Sequence, residues 1–420
     1  MENSLEGKKI LIIGQVWPES RSSAAGKRML QLLEVFQSWN MTLYFGSTAQ
    51  KSPYSDDLSA FQLNEIEVYL NDERMDQVLA DLQPDWVMYD RFMIEEQFGW
   101  RVTTQCPQAR TLLDTEDLHF LRYARQEHLK KGEGVLEDYL YSDRTKRELA
   151  SMMRCDLTLL ISQAEFDLLT QRFRIAEELL FVLPFLEEEI TAEEQAHWLS
   201  FEDREGFVFI GNFIHEPNWQ TVLRLKTEIW PLLRKTLPQV NLHIYGAYPS
   251  AKVLQLHNPK EKFFIHGRAE DALAVVGKAR VMLAPIAFGA GIKGKFVDGM
   301  RVGTPNVTTT IGMEAMATEE EWNGYKADEV ELFVEKAVAL YQEKTIWLEK
   351  QQKGMDLVQK KYSKSAHTVL LKAKMLQLDQ ELEAHRKAHF LLEVFKHHTA
   401  QSTKYMGLWI EEKNKYKKSE

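Results

Sequence analysis

Two lysines stand among glycines in one short segment of the chain, directly after an apolar run. The run Val281–Ala284 leads into a loop with Gly289 and Gly291, and Lys293 and Lys295 follow at the start of an amphipathic pattern. This order predicts a strand, a glycine loop and a helix. Glycine lets a ligand approach backbone N–H groups, and a helix N-terminus with lysines favours an anion. We therefore predict a phosphate site that suits a nucleotide diphosphate; a plain strand-to-helix connection is the alternative.

The two lysines differ by two positions, so on a helix they would lie on different faces. We expect Lys293, which is nearest to the loop, to meet the diphosphate. Lys295 is the second candidate, and a position facing solvent or an interface is the alternative for it.

A second group of reactive side chains follows the apolar run Arg110–Leu113. Asp114, Asp117 and His119 lie within six residues of one another there. Ligands bind at the C-terminal ends of the strands in parallel sheets, so we predict that these three residues face a cleft. Two alternatives remain: a helix capped by Asp114 or Asp117, and a metal site built from the two carboxylates and the histidine.

A third candidate is the serine-rich loop between the first predicted strand and a long amphipathic pattern at Gly26–Trp39. Ser22, Ser23 and Gly26 offer hydroxyl and backbone donors, and Arg21 or Arg28 would suit an anionic acceptor. Serines at this position are also common helix caps, which is the alternative.

The elements that must position these groups alternate between short apolar runs and helical periodicity, which is typical of parallel α/β sheets. The predicted strands are Lys9–Ile13, Thr42–Phe45, Trp86–Asp90, Arg110–Leu113, Leu157–Ile161, Leu180–Leu183, Phe207–Ile210, Asn241–Tyr245, Phe263–His266, Val281–Ala284 and Asn306–Thr309. They predict two facing Rossmann-like domains at 1–190 and 206–345. The polar stretch Glu187–Glu205 is the expected linker, and the cleft between the sheets is the expected site.

The remaining residues, 346–420, read as helices. Leu371, Met375, Leu378 and Leu382 form one apolar stripe, and the chain ends in a lysine-rich tail. We predict a docked helix, crossing back to the N-terminal domain, followed by a solvated basic end. A surface for anionic lipid or for a partner helix is the alternative.

Composition excludes several classes of protein. At 420 residues and 44% hydrophobic content the chain can bury two cores. A formal charge of -10 argues against nucleic-acid binding, which needs a basic face. Cys106 and Cys155 are too few and too far apart for a disulfide framework. Without an apolar signal core or a spanning run, we expect a cytoplasmic protein.

Five segments together resemble one family of enzymes. The segment Gly289–Pro305 resembles the donor-binding G-x-G-x-K-x-K-x-x-E-A-x-x-x-G-x-P of retaining GT-B glycosyltransferases of the "glycosyl transferases group 1" type, and Thr309–Glu314 is similar to their T-x-x-G-x-E. Phe207–Asn218 is similar to the F-x-G-x-F-x-H-x-P-N of one bacterial branch. Leu112–Arg122 resembles the D-x-x-D-L-H-x-L-R of the same branch, and the serine-rich loop resembles the small-residue loop where donor sugar and acceptor approach the first strand.

The resemblance implies an α/β GT-B fold and the transfer of a sugar from a nucleotide diphosphate sugar to an acceptor hydroxyl. Retention, independence of metals and cofactors, and a glycan or lipid-linked acceptor in bacterial glycan synthesis are implied with it. Arg268 follows a strand of the second sheet and is expected near the base. The expected donor-binding residues are Gly211, His215, Asn218, Arg268, Gly289, Ala290, Gly291, Ile292, Lys293, Lys295 and Asp298. The expected catalytic residues are His119, Asp114 and Asp117, and Arg21, Ser22, Ser23 and Gly26 form the expected acceptor and sugar loop.

The chain departs from the family pattern at three points. Asp298 stands where a ribose-binding glutamate is usual, and Ala290 stands where the first glutamate of the family falls. The loop after Ile210 has no basic residue, so His215 and Asn218 would have to serve there. A non-catalytic nucleotide- or glycan-binding partner of an active glycosyltransferase is therefore the main alternative, and sugar epimerisation on the same fold is a third hypothesis.

Overall fold

The computed structural model describes residues 4–418, and the side chains among them except those of 398–402 and 416–418. Seven strands form the N-terminal sheet: β1 (Lys9–Gly14), β2 (Thr42–Ser47), β3 (Asn64–Glu65), β4 (Trp86–Asp90), β5 (Arg110–Asp114), β6 (Leu157–Leu160) and β7 (Leu180–Val182). All are parallel, in the order β3-β2-β1-β4-β5-β6-β7. The order reverses between β1 and β4, which is where doubly wound sheets bind ligands.

The helices around this sheet are α1 (Ala24–Ser38), α2 (Arg74–Leu82), α3 (Phe92–Gln105), α4 (His119–Lys131), α5 (Leu136–Tyr139), α6 (Asp143–Met152) and α7 (Gln163–Asp167). A π turn at Leu168–Arg172 extends α7, and 3₁₀ turns lie at Ser59–Phe61 and Glu177–Leu179. Strand β1 shows why this sheet forms: Ile10 through Ile13 are fully buried, as expected for a strand with helices on both faces.

The second sheet has six parallel strands: β8 (Phe207–Ile210), β9 (Leu242–Tyr245), β10 (Phe263–Gly267), β11 (Val281–Ala284), β12 (Asn306–Thr308) and β13 (Gly324–Lys326). Their order is β10-β9-β8-β11-β12-β13, which reverses between β8 and β11. The helices from the linker onward are α8 (Ala192–Ala196), α9 (Glu216–Arg224), α10 (Trp230–Thr236), α11 (Ala251–Leu254), α12 (Ala272–Lys278), α13 (Gly294–Arg301), α14 (Thr310–Met313), α15 (Val330–Gln342), α16 (Lys344–Lys361), α17 (Lys364–Ala388) and α18 (Leu391–Lys418). A π turn at Leu225–Ile229 joins α9 to α10, and a 3₁₀ turn lies at Pro259–Glu261.

The two Rossmann-like sheets confirm the predicted α/β fold, and every predicted strand is present with bounds that differ by at most two residues. Strands β3 and β13 were not predicted. Both lie at sheet edges, and runs of two and three residues are too short for an alternating pattern to show.

The chain crosses between the two sheets at two adjacent points. Glu187 leaves the first sheet and pairs in parallel with Ser363, where α16 passes into α17. The Glu187 N–H donates to the Tyr362 carbonyl (2.7 Å), and the Lys364 N–H donates to the Glu187 carbonyl (2.9 Å). The two crossings therefore lie side by side and are joined by backbone hydrogen bonds.

Helix α17 then packs onto the N-terminal sheet through the predicted apolar stripe. Leu371, Met375, Leu378 and Leu382 are buried in its core. Helix α18 continues along α3, where Arg101 of α3 forms a buried ion pair with Glu411. Among the described residues, no helix combines the length and apolarity that crossing a bilayer requires.

Candidate functional site

A cleft of about 870 Å³ separates the C-terminal ends of the two sheets. From the N-terminal side it is lined by the loops after β1, β4 and β5, and from the C-terminal side by the loops after β8, β9, β10 and β11. Its volume lies in the range of ligand pockets for nucleotide-sized molecules. Both topological switch points therefore open into the same space.

The glycine loop after β11 approaches the N-terminal sheet closely. Gly291 has a φ of 64°, and a Cβ there would lie 2.9 Å from the Asp117 Cβ and 3.0 Å from the Ile161 Cγ2. Only glycine fits this conformation and this gap without strain. Gly289, Ala290 and Ile292 line the cleft, whereas Gly291 lies against the opposite wall. The loop thus meets the edge of the first sheet at Asp117 and Ile161.

Both lysines of the loop face the cleft. The Lys293 Nζ donates to the Gly291 carbonyl (2.8 Å), and the Lys295 Nζ donates to the Asn218 Oδ1 (2.7 Å) and lies 4.2 Å from the centre of the Phe209 ring. The expectation that the two would point apart is wrong. Lys293 is the N-cap residue before α13, and its backbone is extended. The rotation that separates successive residues of a helix therefore does not describe its position relative to Lys295.

Neither lysine forms an ion pair with a described carboxylate. Burial lowers the pKa of Lys293 to about 8, although Glu314 partly opposes that shift. Burial lowers the pKa of Lys295 to about 7, and the neighbouring Lys293 lowers it further. Desolvated ammonium groups at a helix N-terminus form a site in which an anion is favoured.

The loop after β8 completes this side of the cleft. A Cβ on Gly211 would lie 2.7 Å from the Asn218 Cγ, so glycine leaves the space that the Asn218 amide occupies. The Asn218 Nδ2 donates to the Asn212 carbonyl (2.7 Å), which directs its oxygen at Lys295. His215 is the residue before α9 and lines the cleft. The structure therefore brings Gly211, His215 and Asn218 to the lysines.

Asp298 lies on α13, at the wall of the same cleft. Its Oδ1 is 3.0 Å from the Lys27 Nζ, and Lys27 is also 2.8 Å from Glu187. Burial opposes the charge on Lys27, but Asp298 and Glu187 outweigh burial and raise its pKa. The carboxylate remains partly exposed, at 23% of the side chain. This pair links the first helix of one sheet to the donor-side helix of the other.

Asp117 and His119 lie across the cleft at the start of α4. The Asp117 carboxylate is 2.6 Å from Arg122 and 3.4 Å from the His119 Nε2. Burial lowers the pKa of His119 to about 3, although Asp117 opposes that shift, so its imidazole is neutral at pH 7. Glu148 holds the helix start, because its carboxylate accepts from the backbone N–H groups of His119 (3.0 Å) and Phe120 (2.7 Å). Both predicted residues therefore face the cleft.

Asp114 does not face the cleft, and that part of the prediction is wrong. It is fully buried, and its carboxylate binds the guanidinium of Arg28, with an Nη2–Oδ1 distance of 2.8 Å. Arg28 also donates to the Leu183 carbonyl (2.6 Å), so it is buried and does not reach an acceptor. Asp114 therefore ties β5 to α1 beneath the site.

The serine-rich loop lies at the far end of the cleft. Ser23 caps α1 by accepting from the Gly26 N–H (3.0 Å), which is the alternative considered from the sequence. The Ser22 Oγ accepts from the Arg268 Nε (3.1 Å), which is a contact between the two sheets. Arg21 is exposed at the cleft wall. Arg268 also lies 4.5 Å from the centre of the Tyr54 ring, so its guanidinium is fixed on both sides.

Two cleft residues that sequence reasoning missed have unusual backbones. Arg91 follows β4 with φ 74° and ψ 157°, and Glu116 follows β5 with φ 63°. Such conformations are costly for non-glycine residues and are concentrated at functional sites. Burial and the nearby Asp114 raise the pKa of Glu116 to about 8. Their positions directly after two central strands are the only sequence signal that pointed to them.

A third missed residue joins the two sides. The Arg125 guanidinium of α4 donates to the Gly289 carbonyl (2.6 Å) and to both oxygens of Glu314 (2.7 and 2.5 Å). It therefore fixes the glycine loop from the opposite sheet. Within the described chain, no three His, Cys, Asp or Glu side chains converge as metal ligands, so Asp114, Asp117 and His119 form no such group.

Comparisons with known proteins agree with this architecture. Residues 204–343 match the family model described as "Glycosyl transferases group 1". No curated protein matches the chain in sequence. The fold is similar to that of a TarM variant from S. aureus, solved with fondaparinux, alpha-GlcNAc-glycerol and UDP, at 10% identity, a TM-score of 0.68, and coverage of 88% of this chain and 99% of that one.

Two further structures share the fold. Sucrose-phosphate synthase from Thermosynechococcus elongatus is 16% identical, with a TM-score of 0.65, over 90% of this chain and 99% of that one. HepE from Anabaena, solved with UDP and glucose, is 11% identical, with a TM-score of 0.65, over 88% of this chain and 99% of that one. The chain therefore has the two-domain GT-B fold, and its second sheet carries the match to the family.

Proposed function

We propose that the protein is a glycosyltransferase that moves a sugar from a nucleoside diphosphate sugar to an acceptor hydroxyl, in bacterial glycan synthesis. The observation that carries the proposal is the pair Lys293 and Lys295, two cleft ammonium groups at the start of α13 without a carboxylate ion pair. A diphosphate would supply the negative charge that this site lacks.

In the proposed reaction, the bond between the anomeric carbon and the diphosphate oxygen breaks, and the acceptor oxygen takes its place. The leaving diphosphate gains negative charge, which the two lysines and the N-terminus of α13 stabilise. The family resemblance favours retention of configuration on the same face of the sugar, with the acceptor proton passing to the leaving phosphate oxygen. We propose that no metal ion or other cofactor takes part.

We assign roles in the proposed reaction to the remaining cleft residues from their positions. Asp298, one turn into α13, and its partner Lys27 of α1 are assigned to the ribose hydroxyls. Asp117 and the neutral His119 lie across from the lysines and are assigned to the acceptor hydroxyl. Arg125 fixes the Gly289 carbonyl, and thereby the sugar-facing loop.

The test is a screen of nucleoside diphosphates and their sugar conjugates by thermal shift, followed by product detection. UDP is the first nucleotide to test, because it is bound in two of the related structures. A ligand that binds only the native state raises the melting temperature. We expect a shift with one nucleotide and slow release of its sugar in water. Binding without any release or transfer would favour the non-catalytic partner, and binding of no nucleotide would contradict the proposed transferase.

A further inference from the structure

The cleft is basic although the chain is acidic. Nine lysine and arginine side chains line it against five carboxylates, whereas the whole chain has a formal charge of -10. Lys293 and Lys295 account for a diphosphate on the donor side. Four of the other seven basic side chains lie on the opposite wall, where no part of the donor is assigned.

Four arginines form that wall, and we call them the arginine rim: Arg91, Arg122, Arg144 and Arg147. They come from the end of β4, from α4 and from α6, so three separate elements bring them together. Like-charged side chains repel one another, so four of them at one cleft wall need negative charge nearby. Carboxylates pair with three of them, and Arg144 is left for an external anion.

The two rim arginines of α6 are the most exposed of the four and have different partners. Arg144 lies 4.7 Å from the centre of the Tyr123 ring and makes no ion pair with a described carboxylate. The Arg147 guanidinium donates two hydrogen bonds to the Glu96 carboxylate, from Nε (2.9 Å) and from Nη2 (2.6 Å). The Arg147 side chain is 56% exposed. Because the Arg147 side chain is itself exposed, a ligand can reach its guanidinium beside Glu96.

The other two rim arginines lie deeper. Arg91 donates to the Gln15 amide oxygen (2.7 Å) and lies 3.7 Å from the buried Asp90, and Arg122 pairs with Asp117 (2.6 Å). Both, together with Arg144, lie close enough to His119 to add to the lowering of its pKa that burial begins.

We propose that the acceptor is an anion: an alcohol that carries a phosphate or carboxylate group, held by the arginine rim while its hydroxyl reaches Asp117 and His119. This inference rests on the proposed function and names the class of its second substrate. The planar guanidinium fork matches either oxyanion through two parallel hydrogen bonds.

The experiment is a calorimetric titration of the full chain, saturated with UDP, with three probes: glucose 6-phosphate, glucuronate and glucose. We expect at least one of the two anions to bind about tenfold more tightly than glucose, as charge-assisted hydrogen bonds require. Comparison of the affinities for glucose 6-phosphate and glucuronate shows whether phosphate or carboxylate is preferred. Affinity for the anion should fall as salt is raised from low to physiological strength.

The variant R144A/R147A should weaken the anion about tenfold and leave UDP affinity unchanged. Lys146→Ala is the matched control, because Lys146 is on the same helix, its side chain is 76% exposed, and it pairs with Asp143 outside the cleft. It should change neither affinity.

Each contrary result has a distinct meaning. If UDP binds but neither anion binds better than glucose, the acceptor is not recognised by charge and the inference is wrong, while the proposed function stands. If an anion binds equally well to R144A/R147A, the rim is not its site and the inference is again wrong. If the anions bind at the rim but no nucleotide binds, the rim stands and the proposed function fails.

Discussion

At the scale of single residues, the donor side of the cleft depends on charges that the protein itself does not balance. Lys293 and Lys295 are held by a backbone carbonyl and an amide oxygen, not by carboxylates. A carboxylate in either place would compete with the ligand. The amide of Asn218 orients Lys295 without neutralising it, which keeps the positive charge for an anion.

Binding of a nucleoside diphosphate should weaken as pH rises from 7 to 9. Burial lowers the pKa of Lys295 to about 7 and that of Lys293 to about 8, and a bound anion favours their charged forms. Binding should therefore take up protons near pH 8. Calorimetry in two buffers of different ionisation enthalpy measures this uptake, which should shrink in Lys295→Met. An equal heat in both buffers would contradict the assignment.

The same two pKa values set the sign of the effect on stability. Unfolded lysines keep their protons up to about pH 10, so the unfolded state binds more protons than the folded state between about pH 7 and pH 10. Without ligand, this pair therefore makes the free energy of unfolding increase with pH across that window.

Asp298 provides a second test at this scale. If it accepts hydrogen bonds from the ribose, Asp298→Asn should lose roughly 1.5–3 kcal/mol of nucleotide binding, the range for hydrogen bonds to a charged group. Asp298→Glu should retain binding, because the carboxylate still reaches Lys27 and the ribose. Titration with the nucleotide decides. Equal losses in both variants would show that α13 is aligned incorrectly with the family motif.

At the scale of elements, neighbouring positions at the end of β5 and just after it have different structural roles. Asp114, the last residue of β5, is buried on Arg28 of α1, while Asp117 and His119 open into the cleft at the start of α4. The strand end thus anchors the first helix, and the next turn lines the cleft.

Substitutions in this segment should separate stability from turnover. Asp114→Asn leaves the buried Arg28 without its counterion and should cost about 3–5 kcal/mol of unfolding free energy, measured in urea. His119→Ala should keep nucleotide affinity and lower turnover at saturating donor. Full turnover in His119→Ala would remove this residue from the transfer step, and an unchanged unfolding midpoint in Asp114→Asn would contradict the anchoring role.

At the scale of the whole molecule, the two sheets are joined by more than a linker. The chain crosses at Glu187 and again at Ser363, and Arg125, Lys27 and Arg268 reach from one sheet to the other across the cleft. Helix α17 makes the C-terminal part of the chain a component of the N-terminal core.

This integration predicts a stability effect far from the site. Met375→Ala should cost about 2–5 kcal/mol, because the side chain is fully buried against the N-terminal sheet. Val369→Ala is the control on the same helix, since Val369 is 68% exposed and should change stability by less than about 0.5 kcal/mol. Urea unfolding compares them, and similar costs for both would mean that α17 does not belong to that core.

Sequence reasoning predicted the parts that depend on local pattern. The buried strands and the glycine loop are visible because apolar runs and glycines mark them directly. The pairing of Asp114 with Arg28 joins positions 86 residues apart, and no local pattern records such a contact. The left-handed backbones of Arg91 and Glu116 depend on tertiary packing, so their residue types did not indicate them. The same holds for Arg125, which acts only once the two sheets face each other.

The most direct test of the account is the affinity of the protein for a nucleoside diphosphate with and without the two loop lysines. Calorimetric titration of UDP, and of the other nucleoside diphosphates, should give saturable binding to the native chain and at least about a tenfold loss in K293A/K295A, with an unchanged unfolding midpoint. The control is K130A/K131A, because these lysines lie on α4 with side chains about 60% and 59% exposed, outside the cleft. Equal affinity in K293A/K295A and the native chain would contradict the assignment of the donor diphosphate to this loop.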